Sequence, residues 1–183
     1  MRVITGTARG MKLKAPEGMK IRPTTDQVKE SIFSIIQFEV EGSRVLDLFA
    51  GTGQLGIEAL SRGARSVTFV DNDKNSIDIL RENLTHTRLD KNAIVRFEDG
   101  PAFVNFTKDA FDIVFLDPPY QNGLIEKVLP VLACKMSENG VIVCETSSDE
   151  RLPESAGAYS IYREYKYGKV KLTVYRPTRE ENN

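Results

Sequence analysis

From Arg44 onward, short apolar runs rich in β-branched and aromatic residues alternate with segments of helical periodicity. The order is Val45–Phe49, Leu55–Ser61, Ser66–Val70, Ser76–Leu84, Ile94–Phe97, Ile113–Leu116, Leu124–Leu132 and Val141–Cys144. Strand-like runs separated by single helical segments predict a parallel sheet with helices on both faces, because parallel neighbours need a crossover between them. The rhythm breaks at the end, where Tyr159–Tyr167 and Lys169–Tyr175 meet at Gly168. This pattern predicts an antiparallel hairpin that closes the sheet. With 183 residues and 40% hydrophobic content, the chain suits one domain around one sizeable core, and it carries no internal repeat or low-complexity linker.

Before the sheet, residues 1–22 are short, basic and punctuated by glycine. Val3-Ile4-Thr5 and Met11-Lys12-Leu13 flank Thr7-Ala8-Arg9-Gly10, which reads as a β-hairpin arm standing apart from the core. Thr24-x-x-Gln27 has capping-box form, and Val28, Ile32, Ile35 and Ile36 continue at helical spacing, so a helix is predicted over about 25–38. The domain proper is taken as 23–183.

Charge is unevenly laid out. Residues 1–30 hold seven Lys/Arg against three Asp/Glu, and residues 160–179 hold six against one. The acidic middle, 31–159, holds twelve against twenty. Basic ends around an acidic centre suit a polyanion held by the ends of the chain, and equally suit solvated surface charge. The single histidine, His86, leaves little for Ser/His/Asp or metal chemistry, and no metal is expected. Cys134 and Cys144 lie in apolar runs without CxxC spacing, so both read as buried free thiols. No stretch approaches a membrane span and the opening residues lack a signal peptide's apolar region, so the cytoplasm is the expected location.

The first strand runs into Asp47-Leu48-Phe49-Ala50-Gly51-Thr52-Gly53-Gln54-Leu55-Gly56, where glycines permit a tight turn against a small ligand. Gly51-x-Gly53-x-x-Gly56, with Asp71 eighteen positions after Gly53, also fits a dinucleotide fingerprint. Two features disfavour a nicotinamide enzyme. Asp47 would repel a pyrophosphate but receive an amino group, and too little chain remains for a second catalytic domain.

Phe111-Asp112-Ile113-Val114-Phe115-Leu116-Asp117-Pro118-Pro119-Tyr120 is the most informative run. A buried strand delivers an acid, two prolines and an aromatic ring to its carboxyl end. Neither proline carries an N–H, so rigid carbonyl acceptors can face a pocket. An amine conjugated to a planar ring is a weak nucleophile because its lone pair is delocalised. The Asp117 carboxylate and Pro118 carbonyl would take its two hydrogens and aim the lone pair, while Tyr120 stacks on a base turned out of its helix.

Asp-x-x-x-Gly-x-Gly resembles the cofactor motif of class I S-adenosylmethionine-dependent methyltransferases, and Asp117-Pro118-Pro119-Tyr120 resembles the (Asp/Asn)-Pro-Pro-(Tyr/Phe) motif of those acting on conjugated amines. Arg9-Gly10-x-Lys12-Leu13, Arg22-Pro23-Thr24-Thr25-Asp26-x-Val28-x-Glu30-x-x-Phe33 and Val45 through Ala64 extend the likeness to nearly the whole chain. Together they resemble the RsmD family.

The resemblance implies an α/β Rossmann-like sheet and a monomer that methylates guanine N2 in 16S ribosomal RNA or the small subunit. It assigns catalysis to Asp117, Pro118, Pro119 and Tyr120. Asp47, Gly51 and Gly53 would hold the methionine end of S-adenosylmethionine, Asp71 the ribose and Asp99 the adenine amino group. Phe49, Asn72 and Thr24 would complete that pocket. Arg9, Lys12, Lys14 and Arg22 are the expected RNA contacts, with the hairpin bearing Lys166, Lys169 and Lys171 a second candidate surface. Gln54 and Gln121-Asn122 depart from the family's pattern. A DNA adenine-N6 methyltransferase shares the acid-Pro-Pro-Tyr chemistry and stays open, as does a cofactor-binding module without catalysis.

Overall fold

The computed structural model describes residues 1–16, 26–120 and 122–178. One eight-stranded sheet organises them. Its strands are β1 (Arg44–Leu48), β2 (Ser66–Asp71), β3 (Ala93–Phe97), β4 (Phe111–Leu116), β5 (Met136–Ser147), β6 (Ser155–Ala156), β7 (Tyr159–Tyr167) and β8 (Val170–Pro177). The order across the sheet is β3-β2-β1-β4-β5-β8-β7-β6. Pairing is parallel from β3 to β5 and antiparallel from β5 to β6, so the predicted parallel core and closing hairpin are both present.

Side chains alternate across the sheet and build two apolar layers. Val45, Val67, Phe69, Ile113, Phe115, Val141 and Val143 face one layer with α1 (Asp26–Ile35), α2 (Gln54–Ser61) and α3 (Lys74–Thr87). Leu46, Leu48, Val70, Val114, Leu116, Ile142 and Cys144 face the other with α4 (Gly100–Phe106) and α5 (Leu124–Ala133). Burial on both faces explains why β1 and β4 read as nearly continuous apolar runs rather than alternating ones.

The N-terminal segment differs from the expectation. A two-stranded hairpin arm is not formed: the segment makes a single antiparallel bridge, Arg2↔Lys12. Val3, Ala8 and Leu13 are buried in the first apolar layer, so these residues belong to the core. Val3 N–H still donates to Met11 O at 2.9 Å and Leu13 N–H to Met1 O at 3.0 Å, but much of the main chain between them is taken up by α2. Ile4 and Thr5 donate their N–H groups to the Glu58 carboxylate at 2.7 and 2.9 Å, and Ala8 N–H donates to Ser61 Oγ at 3.0 Å. Thr7 N–H reaches Ser61 O at 2.8 Å. Gly6 makes the approach possible at φ 89°, since a Cβ there would lie 1.7 Å from Ser61 O.

Glu58 is fully buried and also receives Arg62 Nε at 2.8 Å, with Lys29 Nζ 3.6 Å away. Burial pushes Lys29 below its ordinary pKa, and the facing Glu58 carboxylate opposes that shift. Two further expectations need correction. Cys144 is buried, but Cys134 ends α5 in an exposed position. Helix α4 went unforeseen because only Phe103 and Val104 carry its apolar face. Arg22, Pro23 and Thr24 lie outside the described residues.

Removing Glu58 would strand a buried ammonium and two main-chain donors. Glu58→Ala should therefore lower unfolding free energy by about 3–5 kcal/mol, the range for breaking a buried ion pair from one side. Urea titration measures this, and a loss under about 1 kcal/mol would show that the N-terminal segment is held by apolar contact instead.

Candidate active site

Strand order reverses between β1 and β4, and the carboxyl ends of these strands open into a crevice, the usual ligand position in open α/β sheets. A cavity of about 590 Å³ lies there. Asp47, Phe49, Gly51, Asp71, Asn72, Asp99 and Asp117 through Tyr120 border it, so one cavity gathers most of the expected cofactor and catalytic residues from four strand ends; Gly53 is not part of its lining.

The glycine loop is set by its neighbours. Phe49 takes a left-handed backbone, φ 69°, as the chain leaves β1, and both Phe49 and Ala50 N–H groups bond Val70 O at 3.0 Å. Gly51 N–H then donates to Asp71 Oδ2 at 2.7 Å, which ties the loop to the end of β2. Gly53 adopts φ 82°, and a Cβ there would lie 2.2 Å from Leu80 Cδ1. A Cβ on Gly56 would lie 2.2 Å from the Phe69 ring, so this glycine permits close packing of α2 on β2.

Each acid has a structural bond as well as a place at the cavity. Gly53 offers α2 no side-chain cap, and Asp47 takes that role from below, accepting Gly56 N–H at 2.8 Å in the helix's first turn. Burial drives the Asp47 carboxyl up to about 7, nearby Asp71 adds to the rise, and the Gly56 N–H opposes it. Asp71 Oδ1 also accepts Asp73 N–H at 2.8 Å. Asp99 caps α4 through Ala102 N–H at 3.1 Å and still borders the cavity, so capping and ligand contact coexist there. The Phe49 ring covers Gly100, where a Cβ would stand 2.7 Å from Cε1, and forms the wall beside Asp99.

At the other end, β4 delivers Asp117 and a buried Pro118 to the crevice, with Pro119 exposed. Tyr120 Oη donates to Glu145 Oε1 at 3.0 Å. Glu145, buried near the end of β5, was missed from sequence. The available signal was an acid ending the apolar run Val141-Ile142-Val143-Cys144.

The cavity's lining is rich in Asp and Glu and contains no Lys, Arg or His among the described residues. Such a wall accepts hydrogen bonds from an ammonium, ribose hydroxyls and an exocyclic amine, and favours a sulfonium, whereas a pyrophosphate would be repelled by its carboxylates. The donor and acceptor chemistry of S-adenosylmethionine fits this set.

The expected RNA contacts are dispersed. Lys12 and Lys14 join Arg81 and His86 of α3 around a separate groove of about 530 Å³, where Lys14 also pairs with Glu82 at 2.5 Å. Arg9 is exposed but not part of that groove. On the C-terminal hairpin Lys166 and Lys169 are exposed, whereas Lys171 is buried against Glu164 at 2.7 Å and cannot face a ligand.

Residues 1–176 match the protein family described as Conserved hypothetical protein 95. The Bacillus subtilis protein named "Putative rRNA methyltransferase YlbH" is 40% identical over 181 residues, covering 96% of this chain and 98% of its own. Ribosomal RNA small subunit methyltransferase D of Escherichia coli is 33% identical over 178 residues, covering 96% and 89%. The solved structure titled "Putative methyltransferase yhhF from Escherichia coli" superposes with a TM-score of 0.87 at 34% identity and 97% coverage of both chains. The chain belongs to the Conserved hypothetical protein 95 family, the methyltransferase family that includes YlbH and ribosomal RNA small subunit methyltransferase D.

Proposed function

We propose that the protein transfers a methyl group from S-adenosylmethionine to the exocyclic N2 of a guanine in small-subunit ribosomal RNA. The observation that carries this reading is the single acid-walled cavity in which the glycine loop and Asp117-Pro118-Pro119-Tyr120 meet. The relatives' names supply the class of nucleic acid. A ribosomal substrate also implies a cytoplasmic site of action, and no described helix is long and apolar enough to cross a membrane.

The cofactor supplies an electrophilic methyl on a cationic sulfur; the rest is orientation by the chain. Asp117 and the Pro118 carbonyl accept the two amine hydrogens and turn the lone pair out of conjugation. The new N–C bond forms as the S–C bond breaks, and Asp117 is placed to take the proton that the methylated nitrogen sheds. Tyr120, tethered to Glu145, gives the extruded base a fixed surface to stack on. An adenine-N6 reaction would use the same geometry, so the product nucleoside decides between them. Labelled S-adenosylmethionine with small subunits lacking the modification, followed by digestion, should yield N2-methylguanosine; N6-methyladenosine would overturn the assignment.

Three further outcomes follow from the site. Asp117→Ala should lower the transfer rate by on the order of a hundredfold or more while sparing cofactor affinity, as for loss of a preorganised acceptor. Single-turnover rates beside calorimetric titration measure both, and near-normal rates in the folded variant would remove Asp117 from catalysis.

Below pH about 7 the free protein holds a proton on Asp47. An ammonium ligand favours the carboxylate, so binding S-adenosylhomocysteine should release a proton near pH 6. Affinity should then rise with pH, by up to about tenfold per unit, and level off above 7. Calorimetry in buffers of different ionisation enthalpy detects the release, and buffer-independent heats would separate Asp47 from the ammonium.

Lys12→Ala with Arg81→Ala should raise the KM for ribosomal substrate several-fold at low salt, and the deficit should shrink as salt screens the wild-type contacts. Unchanged KM at low salt would place the RNA elsewhere.

A further inference from the structure

We propose that Glu145 reads the N1–H of the target base and so makes the site selective for guanine; this rests on the guanine reading given above. Register supplies the geometry. Leu116 of β4 pairs with Cys144 of β5, so the next residues, Asp117 and Glu145, emerge side by side at the carboxyl ends of neighbouring parallel strands, roughly 5 Å apart. Both border the same cavity, and Glu145 is only 4% exposed. Tyr120, the ring offered to the base, bonds Glu145 Oε1 at 3.0 Å, so the stacking ring and the carboxylate are neighbours, while the Glu145 backbone is fixed by β5.

Two adjacent carboxylates form an acceptor-only surface. Guanine presents N1–H and the N2 amine side by side, a run of donors that matches such a surface. Adenine presents its N6 amine beside an N1 lone pair, which would face an anion with no proton to offer. A carboxylate has about four lone-pair directions, enough for the Tyr120 hydroxyl and a base N–H together. Asp117 thus handles the reacting amine while Glu145 tests the neighbouring ring nitrogen. Buried polar groups discriminate in this way because an unmatched partner leaves them without a hydrogen bond.

The test uses 2-aminopurine, which keeps the N2 amine but has a bare N1. Small-subunit ribosomal RNA is assembled by splinted ligation with guanine or 2-aminopurine at the nucleotide that the wild-type protein methylates. Wild type should prefer guanine by at least about a hundredfold in kcat/KM. Glu145→Gln should lower the guanine rate and compress that preference to under about tenfold, because the amide can donate to a bare N1. Tyr120→Phe removes only the hydroxyl and should keep the preference, whatever its effect on rate. Titration with S-adenosylhomocysteine shows whether each variant is folded.

Wild type accepting 2-aminopurine nearly as well as guanine overturns the inference, even if Glu145→Gln fails to fold. So does undiminished preference in Glu145→Gln, or a loss in Tyr120→Phe equal to that in Glu145→Gln, which would leave Glu145 a positioning residue for the ring. A wild-type product other than N2-methylguanosine would instead remove the proposed function itself.

Discussion

The reversal of strand order between β1 and β4 is the constraint from which the site follows. Helices leave these two parallel strands toward opposite faces, so neither helix covers the gap at the carboxyl ends. The acids proposed for cofactor and base enter that gap from strand ends: Asp47 from β1, Asp71 from β2, Asp99 from β3, Asp117 from β4 and Glu145 from β5. The residues proposed to act on the target therefore sit beside those proposed to hold the cofactor.

The concentration of carboxylates raises the question of how the folded chain tolerates them. Much of the answer is that main-chain N–H groups hold them. Gly56 serves Asp47, Gly51 and Asp73 serve Asp71, and Ala102 serves Asp99. All four of these donors lie in loops or helical first turns, where N–H groups lack partners within the helix. The same bonds that stabilise the local backbone thus fix acceptors toward a ligand. Burial raises the Asp47 carboxyl to about 7, and its resulting tendency to stay protonated relieves the crowding.

Legibility in the sequence followed the range of the interactions. Strands such as Val45–Phe49 and Ile113–Leu116 were readable because burial on two faces leaves continuous apolar runs, and the motif acids were readable because each follows such a run. Asp99 was readable as a ligand or as a cap, and only the geometry shows the cap bond beside the cavity. The N-terminal hairpin was misread because the local pattern of Val3-Ile4-Thr5 and Met11-Lys12-Leu13 says nothing of a carboxylate more than fifty residues later. Cys134 was misread because an apolar run on an amphipathic helix does not reveal which position turns outward. Glu145 was missed because its meaning depends on register between β4 and β5, and no local pattern encodes register across a helical crossover.

The docking of residues 1–16 also bears on the order in which the molecule can form. Ile4 and Thr5 wait for Glu58, Ala8 waits for Ser61, and Lys14 N–H waits for Asn83 Oδ1, so these residues find those partners only after α2 and α3 exist. The contacts of this stretch with α2 and α3 therefore close only once the first βαβ unit has assembled. Its attachment to α2 would then act as a late latch, reporting that the half of the sheet bearing the glycine loop has been built.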